Sequence, residues 1–334
     1  MVRSPIRSGS MVLVLCSLLL ACSGSRKASL DTTVAGYGLT IQVLGAEDNA
    51  AANQALAELE SVAAEGFKGL SSTGDSDFAA INSLAGSRSG SMSQQNYDLL
   101  MRCFGYKKDT DEAFDFLIGP LRRAWGLGGT PRQPSEAELD SARTLVREGG
   151  TFVVDKGVLL SRAGMAIDLH EVQCGAIADR LALSVRGDGY NDFLLQLGSV
   201  SVAGAEGPDG GYFSVPFANP EDPSGQLGTF RLRNLSLAVA SINDEAFELN
   251  GTRFHGHLDP ATGKPAFGVL AVAVVCRQAE RADALASGLF VMGAEAGLEK
   301  ASSLDDVEAV FVVAGEGKPE LRLTPGMEAW FQAR

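Results

Sequence analysis

The chain is 334 residues long and carries 28 basic against 41 acidic side chains, a formal net charge of −13 at neutral pH. So acidic a chain repels nucleic acid, and no basic stripe offers it a footprint. The length and an ordinary 45% hydrophobic content suit one large domain, or two intimate ones, around a sizeable core.

Arg3 and Arg7 precede an uncharged apolar run from Met11 to Ala21, and Cys22 follows directly. The run is too short for a membrane-spanning helix but has the length of a signal-peptide core. Leu19-Leu20-Ala21-Cys22 is similar to a bacterial lipobox, in which the cysteine is lipidated and becomes the new N-terminus. The expected organisation is a signal peptide over 1–21, a lipidated Cys22 with a tether to residue 30 that includes Ser23-Gly24-Ser25, and one domain over 31–334. A plain secretory signal with an incidental Cys22 is the bland alternative. Acyl chains, palmitate included, would hold the body on a membrane of the cell envelope, facing the periplasm or the exterior. Losing Arg3 and Arg7 brings the mature charge to −15. Cys103, Cys174 and Cys276 are too few and too widely spaced for a disulfide framework, although one pair could form.

Tyr37, Leu39, Ile41 and Val43 alternate with small or polar residues, which predicts a strand. Leu56, Leu59, Val62 and Phe67 recur at helical spacing between Ala51 and Phe67. A second helix is expected from Ser93 to about Tyr106, with Tyr97, Leu100 and Phe104 on one face. Ser135 and Glu138 form a capping-box signature that opens a third, running to Val146. Phe152–Val154 and Val158–Leu160 flank Asp155-Lys156-Gly157 as a hairpin. A helix from about Glu171 to Val185 stops before Gly187-Asp188-Gly189. Strands are then expected at Phe193–Leu197, Tyr212–Pro216, Thr229–Ala240, Phe247–Phe254 and Val269–Cys276, with Asn250-Gly251 as a hairpin turn. A helix from Ala282 to Met292 interrupts them, and Val310–Val313 and Glu320–Leu323 close the chain. Helices dominate the first half and strands the second, so the class is α+β, with mixed, largely antiparallel sheets and flanking helices.

The chain has three histidines, His170, His255 and His257, and no cysteine pair at zinc spacing. It holds neither a Gly-x-Ser-x-Gly elbow nor a phosphate-binding P-loop. What stands out is His255-Gly256-His257-Leu258-Asp259-Pro260-Ala261-Thr262-Gly263. Asp-Pro-x-Thr-Gly is a tight turn in which Pro fixes φ while Asp and Thr bond nearby backbone. A histidine held just before it could act as a general base, whereas the bland reading is an ordinary surface turn.

This segment resembles the signature of the FAD:protein FMN transferases, the ApbE-like flavin transferases. Four further matches follow the family's order along the chain. Ser76-Asp77-Phe78-Ala79-Ala80-Ile81-Asn82 is similar to Ser-Glu-Leu-x-x-Leu-Asn. Ala113-Phe114-Asp115, Gly119-Pro120-Leu121 and Trp125-Gly126 resemble Ala-Phe-Asp-Pro-Thr-x-Gly-Pro-Leu-x-x-Trp-Gly. Asp168-Leu169, Gly175 and Asp179 fit the frame of Asp-Leu-Gly-Gly-x-Ala-Lys-Gly-x-x-x-Asp. Ala282-Asp283-Ala284-Leu285-Ala286-Ser287 is similar to Ala-Asp-Ala-Leu-x-Thr.

The resemblance implies transfer of FMN from FAD to a Thr or Ser hydroxyl of an exported flavoprotein, with loss of AMP. It implies Mg²⁺ on the FAD pyrophosphate, held by Asp283, Ser287 and the backbone carbonyl of Glu171, with His257 assisting the hydroxyl. Asp283 and Ser287 lie four apart on one helix face, and both offer hard oxygen ligands. Gly36, Ala113, Phe114, Asp115, Asp168, Cys174, Ser241 and the backbone near Leu258 would contact the flavin nucleotide. Departures are concentrated at the nucleotide. Ala35-Gly36-Tyr37 replaces Met-Gly-Thr, Cys174 replaces the Lys, Gly198-Ser199-Val200 replaces Gly-Gly-Asp, and Ala240-Ser241-Ile242 replaces Thr-Ser-Gly. His257 also sits one position closer to Asp259 than in the usual His-x-x-Asp-Pro. His170 and Cys174, at i and i+4, have the spacing of a transition-metal pair, but a packed helix start explains them more simply. Two other readings stay open: an FAD-binding or FAD-hydrolysing lipoprotein, and a degenerate relative with a structural role.

Overall fold

The computed structural model describes residues 27–334 except 47, 209, 210 and 223. The signal segment, the lipobox and Cys22 lie outside the described residues. The first element is a hairpin of β1 (Lys27–Val34) and β2 (Tyr37–Leu44), paired from Lys27↔Leu44 to Val34↔Tyr37. Its turn is Ala35-Gly36, with φ of +51° and +89°, the left-handed pair that a two-residue hairpin demands. Residues 27–30 are therefore strand and not tether: each faces a β2 partner, so the folded body starts earlier than residue 31.

Asp48 caps α1 (Asn49–Leu70), its Oδ1 accepting from the Ala50 and Ala51 amides at 2.9 and 3.2 Å. Then come α2 (Asp77–Ser83), β3 (Gly90–Ser91), α3 (Gln94–Asp109) and α4 (Gly119–Trp125). The capping box opens α5 (Glu136–Glu148) as expected, and β4 (Thr151–Val154) pairs with β5 (Gly157–Leu160). After α6 (His170–Gly187) the chain lays down β6 (Phe193–Leu197), β7 (Val200–Ala203), β8 (Phe213–Ala218) and β9 (Gln226–Leu232). Next are β10 (Ser236–Ser241) and the hairpin of β11 (Phe247–Leu249) and β12 (Thr252–Phe254), turning at Asn250-Gly251 with both φ values positive. The expected single strand Thr229–Ala240 is two, because Asn234 turns the chain with φ +49° and sends β9 and β10 into different sheets. The remainder is β13 (Ala271–Cys276), α7 (Ala279–Met292), α8 (Ala294–Ser303), β14 (Glu308–Val313), β15 (Glu320–Leu323) and β16 (Phe331–Ala333).

Eight strands form one antiparallel sheet in the order β1-β2-β6-β7-β10-β13-β14-β15. Every residue of β13 is buried, since the sheet is covered on both faces. One face (Leu39, Ile41, Val272, Val274, Phe311) packs against α1, α6 and α7. The other (Leu237, Ala271, Ala273, Val310, Val312) packs on the small sheet β16-β9-β8 through Phe213, Phe230 and Phe331. A strand buried on both faces loses its polar alternation, which explains the unbroken apolar run of β13. The observed class is the expected α+β, with antiparallel sheets and flanking helices.

The contact that positions the site is α6 against α7. A Cβ on Gly175 would stand 2.4 Å from the Ala279 carbonyl oxygen, so only glycine lets these helices meet. Four residues on, both carboxylate oxygens of Asp179 accept amides of the α7 start, from Ala279 and Glu280, at 3.0 Å each. That bond caps α7 from its neighbour and fixes the turn carrying Asp283 against the first turn of α6.

Candidate active site

Asp283 and Ser287 are buried on α7, and the Asp283 Oδ2 accepts the Gly175 amide at 2.9 Å. Across from them His257 lies between two acids. Its Nε2 is 3.0 Å from Asp244 Oδ2 and its Nδ1 is 3.5 Å from Glu171 Oε1. Burial alone would lower the His257 pKa, but the two carboxylates raise it to about 10, so they favour the charged ring. Burial, with Asp244 and Glu171 nearby, pushes the Asp283 carboxyl up to about 8. Three acids thus crowd one buried histidine, with Asp244 reaching the solvent side.

The Asp259–Gly263 segment is the built turn its composition promised. Asp259 Oδ1 accepts the Ala261 amide at 2.8 Å, Thr262 Oγ1 accepts the Lys264 amide at 3.3 Å, and Trp125 Nε1 donates to the Gly263 carbonyl at 2.7 Å. Leu258 is buried beneath it with Trp125 and Leu121. His255 donates from Nε2 to the Ala266 carbonyl at 2.9 Å, and burial lowers its pKa to about 4.

A second group of charges forms the rim. Arg122 of α4, buried, makes a two-pronged pair with Glu245 at 2.8 and 3.0 Å and lies 3.3 Å from Asp168. His170, the first residue of α6, sets its Nε2 3.1 Å from Glu245 Oε2. Burial would raise the Glu245 carboxyl, but His170 and Arg122 together hold it well below the usual carboxylate range. Gly256 makes room for it, because a Cβ there would stand 2.5 Å from Glu245 Oε2. Tyr37 stacks on Phe67 at 5.0 Å, and its hydroxyl accepts from Gln173 Nε2 at 3.2 Å.

The fold gathers most of the residues the sequence singled out. Asp168, Glu171 and Cys174 lie at the start of α6, Asp283 and Ser287 on α7, and His257 between them. Ser241 joins through its amide, which donates to Asp244 Oδ2 at 2.7 Å. Phe114 packs beside Gly288, next to Ser287, and Phe116 accepts the Asp168 amide at 2.8 Å, so the Ala113-Phe114-Asp115 loop lies against the same helix. Asp115 itself is buried on Lys107 Nζ at 2.8 Å. Gly36 has open space around it, and its neighbour Tyr37 is the residue that reaches the rim. Cys174 is in the core, its thiol raised by burial and nearby Asp283. His170 is spent on Glu245 and Gln173 rather than paired with Cys174, and the three cysteines are free thiols. Arg122, Asp244 and Glu245 escaped the sequence reading. Their one signal was two consecutive acids just beyond Ser241.

Among the described residues no three His, Cys, Asp or Glu side chains gather to hold a metal by themselves. The donors that are present, a buried carboxylate and hydroxyl beside crowded acids, suit a hard cation that takes its other ligands from backbone, water and phosphate.

The chain matches the ApbE family over residues 35–311. It belongs to that family. Curated proteins named FAD:protein FMN transferase resemble it: one from Treponema pallidum is 26% identical over 332 residues, covering 92% of this chain and 90% of that protein. One from Klebsiella pneumoniae is 27% identical over 242 residues, covering 71% and 75%. Among solved structures, the ApbE protein of Thermotoga maritima superposes with a TM-score of 0.83 at 21% identity, over 91% of this chain and 99% of that one. The flavinyl transferase ApbE of Pseudomonas stutzeri gives 0.81 at 23% identity, over 93% and 98%. At such identity these structures show the fold alone.

Proposed function

We propose that this chain transfers FMN from FAD to a Thr or Ser hydroxyl of an exported flavoprotein, releasing AMP. By its family it is an enzyme of the flavin-transferase kind. The acceptor oxygen bonds to the FMN phosphorus as the pyrophosphate P–O bond to AMP breaks; the bridging oxygen leaves with AMP, and the hydroxyl proton is released to solvent. The observation that carries the reading is the meeting of buried Asp283, Ser287 and His257 with Glu171 and the part-exposed Asp244 beside the α6–α7 contact. Asp283, Ser287 and the Glu171 carbonyl would hold Mg²⁺, which supplies charge neutralisation at the pyrophosphate. His257, with Asp244 and Glu171 at its two ring nitrogens, would place positive charge beside the phosphates and so assist the incoming hydroxyl. Asp168, Ser241 and the 113–115 loop line the nucleotide side, with Gly36 and Cys174 behind it.

Anchoring through Cys22 belongs to the same proposal, and it would put the body at the envelope beside exported acceptors. Among the described residues no helix is long and apolar enough to cross a membrane, so attachment would rest on that lipid.

The test mixes the soluble body with FAD, Mg²⁺ and an acceptor domain and seeks flavin fluorescence that survives denaturation. Bound FMN is expected; tight FAD binding without transfer would leave a binding protein. Asp283→Ala should abolish Mg²⁺-dependent turnover, and unchanged turnover would refute the metal assignment.

A further inference from the structure

The three histidines differ in what they can offer a substrate. His257 has a carboxylate at each ring nitrogen and is 6% exposed. His255 is equally buried, with Nε2 committed to the Ala266 carbonyl. His170 alone presents a partly open ring, its side chain 28% exposed.

That ring is also held in one orientation. Its backbone amide donates to Asp168 Oδ1 at 2.9 Å, which fixes the first turn of α6. Its Nε2 meets Glu245 at 3.1 Å, and Glu245 cannot swing away because Arg122 grips both its oxygens. A carboxylate only accepts, so in the neutral ring the hydrogen sits on Nε2 and Nδ1 is an acceptor. In that form Nδ1 accepts from Gln173 Nε2, 3.2 Å away. Gln173 is a long side chain whose amide also bonds Tyr37 Oη at 3.2 Å, so it can yield the place to another donor at small cost. Next along the helix is Glu171, beside the acid cluster.

We infer that His170, oriented by Glu245 and Arg122, is the residue that receives the acceptor's hydroxyl, its Nδ1 accepting the O–H hydrogen bond in place of Gln173. The inference rests on the transferase reading and deepens it by naming the group that meets the acceptor. His170 is then a catalytic residue, since it touches the reacting oxygen. Glu245 and Arg122 are positioning residues that act through it. An oriented hydroxyl outcompetes water, so His170 governs the division of FAD between transfer and hydrolysis.

The experiment measures protein-bound and free FMN released from FAD, in the presence of Mg²⁺ and an acceptor domain. Wild type is compared with His170→Ala, His170→Asn and Glu245→Gln, and folding of each is checked by circular dichroism and FAD binding. His170→Ala should lower the ratio of bound to free FMN at least tenfold and raise the KM for acceptor, with the KM for FAD changed less than about threefold. His170→Asn, which keeps an acceptor atom, should recover part of the ratio. Glu245→Gln should lower it by a smaller factor, because the ring remains but its hold loosens. An unchanged ratio in folded His170→Ala overturns the assignment while leaving the transferase intact. Wild type that neither transfers nor hydrolyses FAD overturns the transferase reading, and the inference with it. A purely structural role would lower both products together and leave their ratio where it was.

Discussion

The two ends of the site treat a covered carboxyl in opposite ways. At the α6–α7 end Asp283 is buried beside Asp244 and Glu171, and its carboxyl is pushed up to about 8. At the rim Glu245 is mostly covered, its side chain 23% exposed, yet its carboxyl is held below the usual range by His170 and Arg122. Burial acts on both as the same penalty, so the difference comes from partners: an amide and a shared histidine for Asp283, a guanidinium and an imidazole for Glu245. A carboxylate left under-compensated is a place that favours a cation. One that is fully paired is a brace. The first end is thus suited to binding and the second to orientation.

The largest expected effect tests the brace. Arg122→Ala strands Glu245 and Asp168 in a poorly hydrated rim, and breaking such a pair costs about 3–5 kcal/mol. Urea unfolding measures it. A loss under about 1 kcal/mol would mean that water reaches these carboxylates, and the contrast between the two ends would collapse.

The next test should have the opposite sign. Asp283→Asn keeps an oxygen to accept the Gly175 amide but removes a charge that the fold penalises. The folded pKa of Asp283, about 8, lies above its ordinary 3.8. Its contribution is therefore fully present below about pH 4 and is lost as the pH climbs through about 8. In EDTA the variant should match wild type near pH 4 and exceed it by up to about 5 kcal/mol at pH 8. Adding Mg²⁺ should raise the Tm of wild type and leave that of the variant unmoved. A variant less stable than wild type at pH 8 would show that Asp283 is already compensated in the free protein.

These ends also differ in how far the sequence disclosed them. Gly175, Asp179 and Asp283 sit where main chain nearly touches main chain, so sterics narrow the choice of residue and leave a short, ordered pattern to find. The β11–β12 hairpin and the α5 capping box were legible for the same reason, because each is decided within a few neighbouring residues. The rim was not. Arg122, His170 and Glu245 come from three distant segments, and no local period records that they meet. Nor could spacing reveal that His257 would lie between Glu171 and Asp244, which favour its charged form. Thr229–Ala240 was misjudged as one strand because its apolar run conceals Asn234, whose left-handed φ sends the two halves into different sheets. Tertiary contact decided what local pattern left open.

The smallest expected effect asks whether the rim depends on the layer behind it. Arg122 rides on α4, and α4 packs through Leu121 and Trp125 against Leu139, Ala142 and Val146 of α5. Ser135 caps α5, its Oγ accepting the Glu138 amide at 3.3 Å and its own amide donating to the Glu138 carboxylate at 2.8 Å. Ser135→Ala removes the first of those bonds and should cost about 1 kcal/mol. The loss falls at the exposed end of α5, a turn away from Leu139, so it should lower Tm without altering the ratio of bound to free FMN. If the ratio falls along with Tm, the orientation of Arg122 is set by the α4–α5 packing rather than by its own carboxylates. The rim would then be a continuation of the core, and its contrast with the α6–α7 end would be one of depth instead of chemistry.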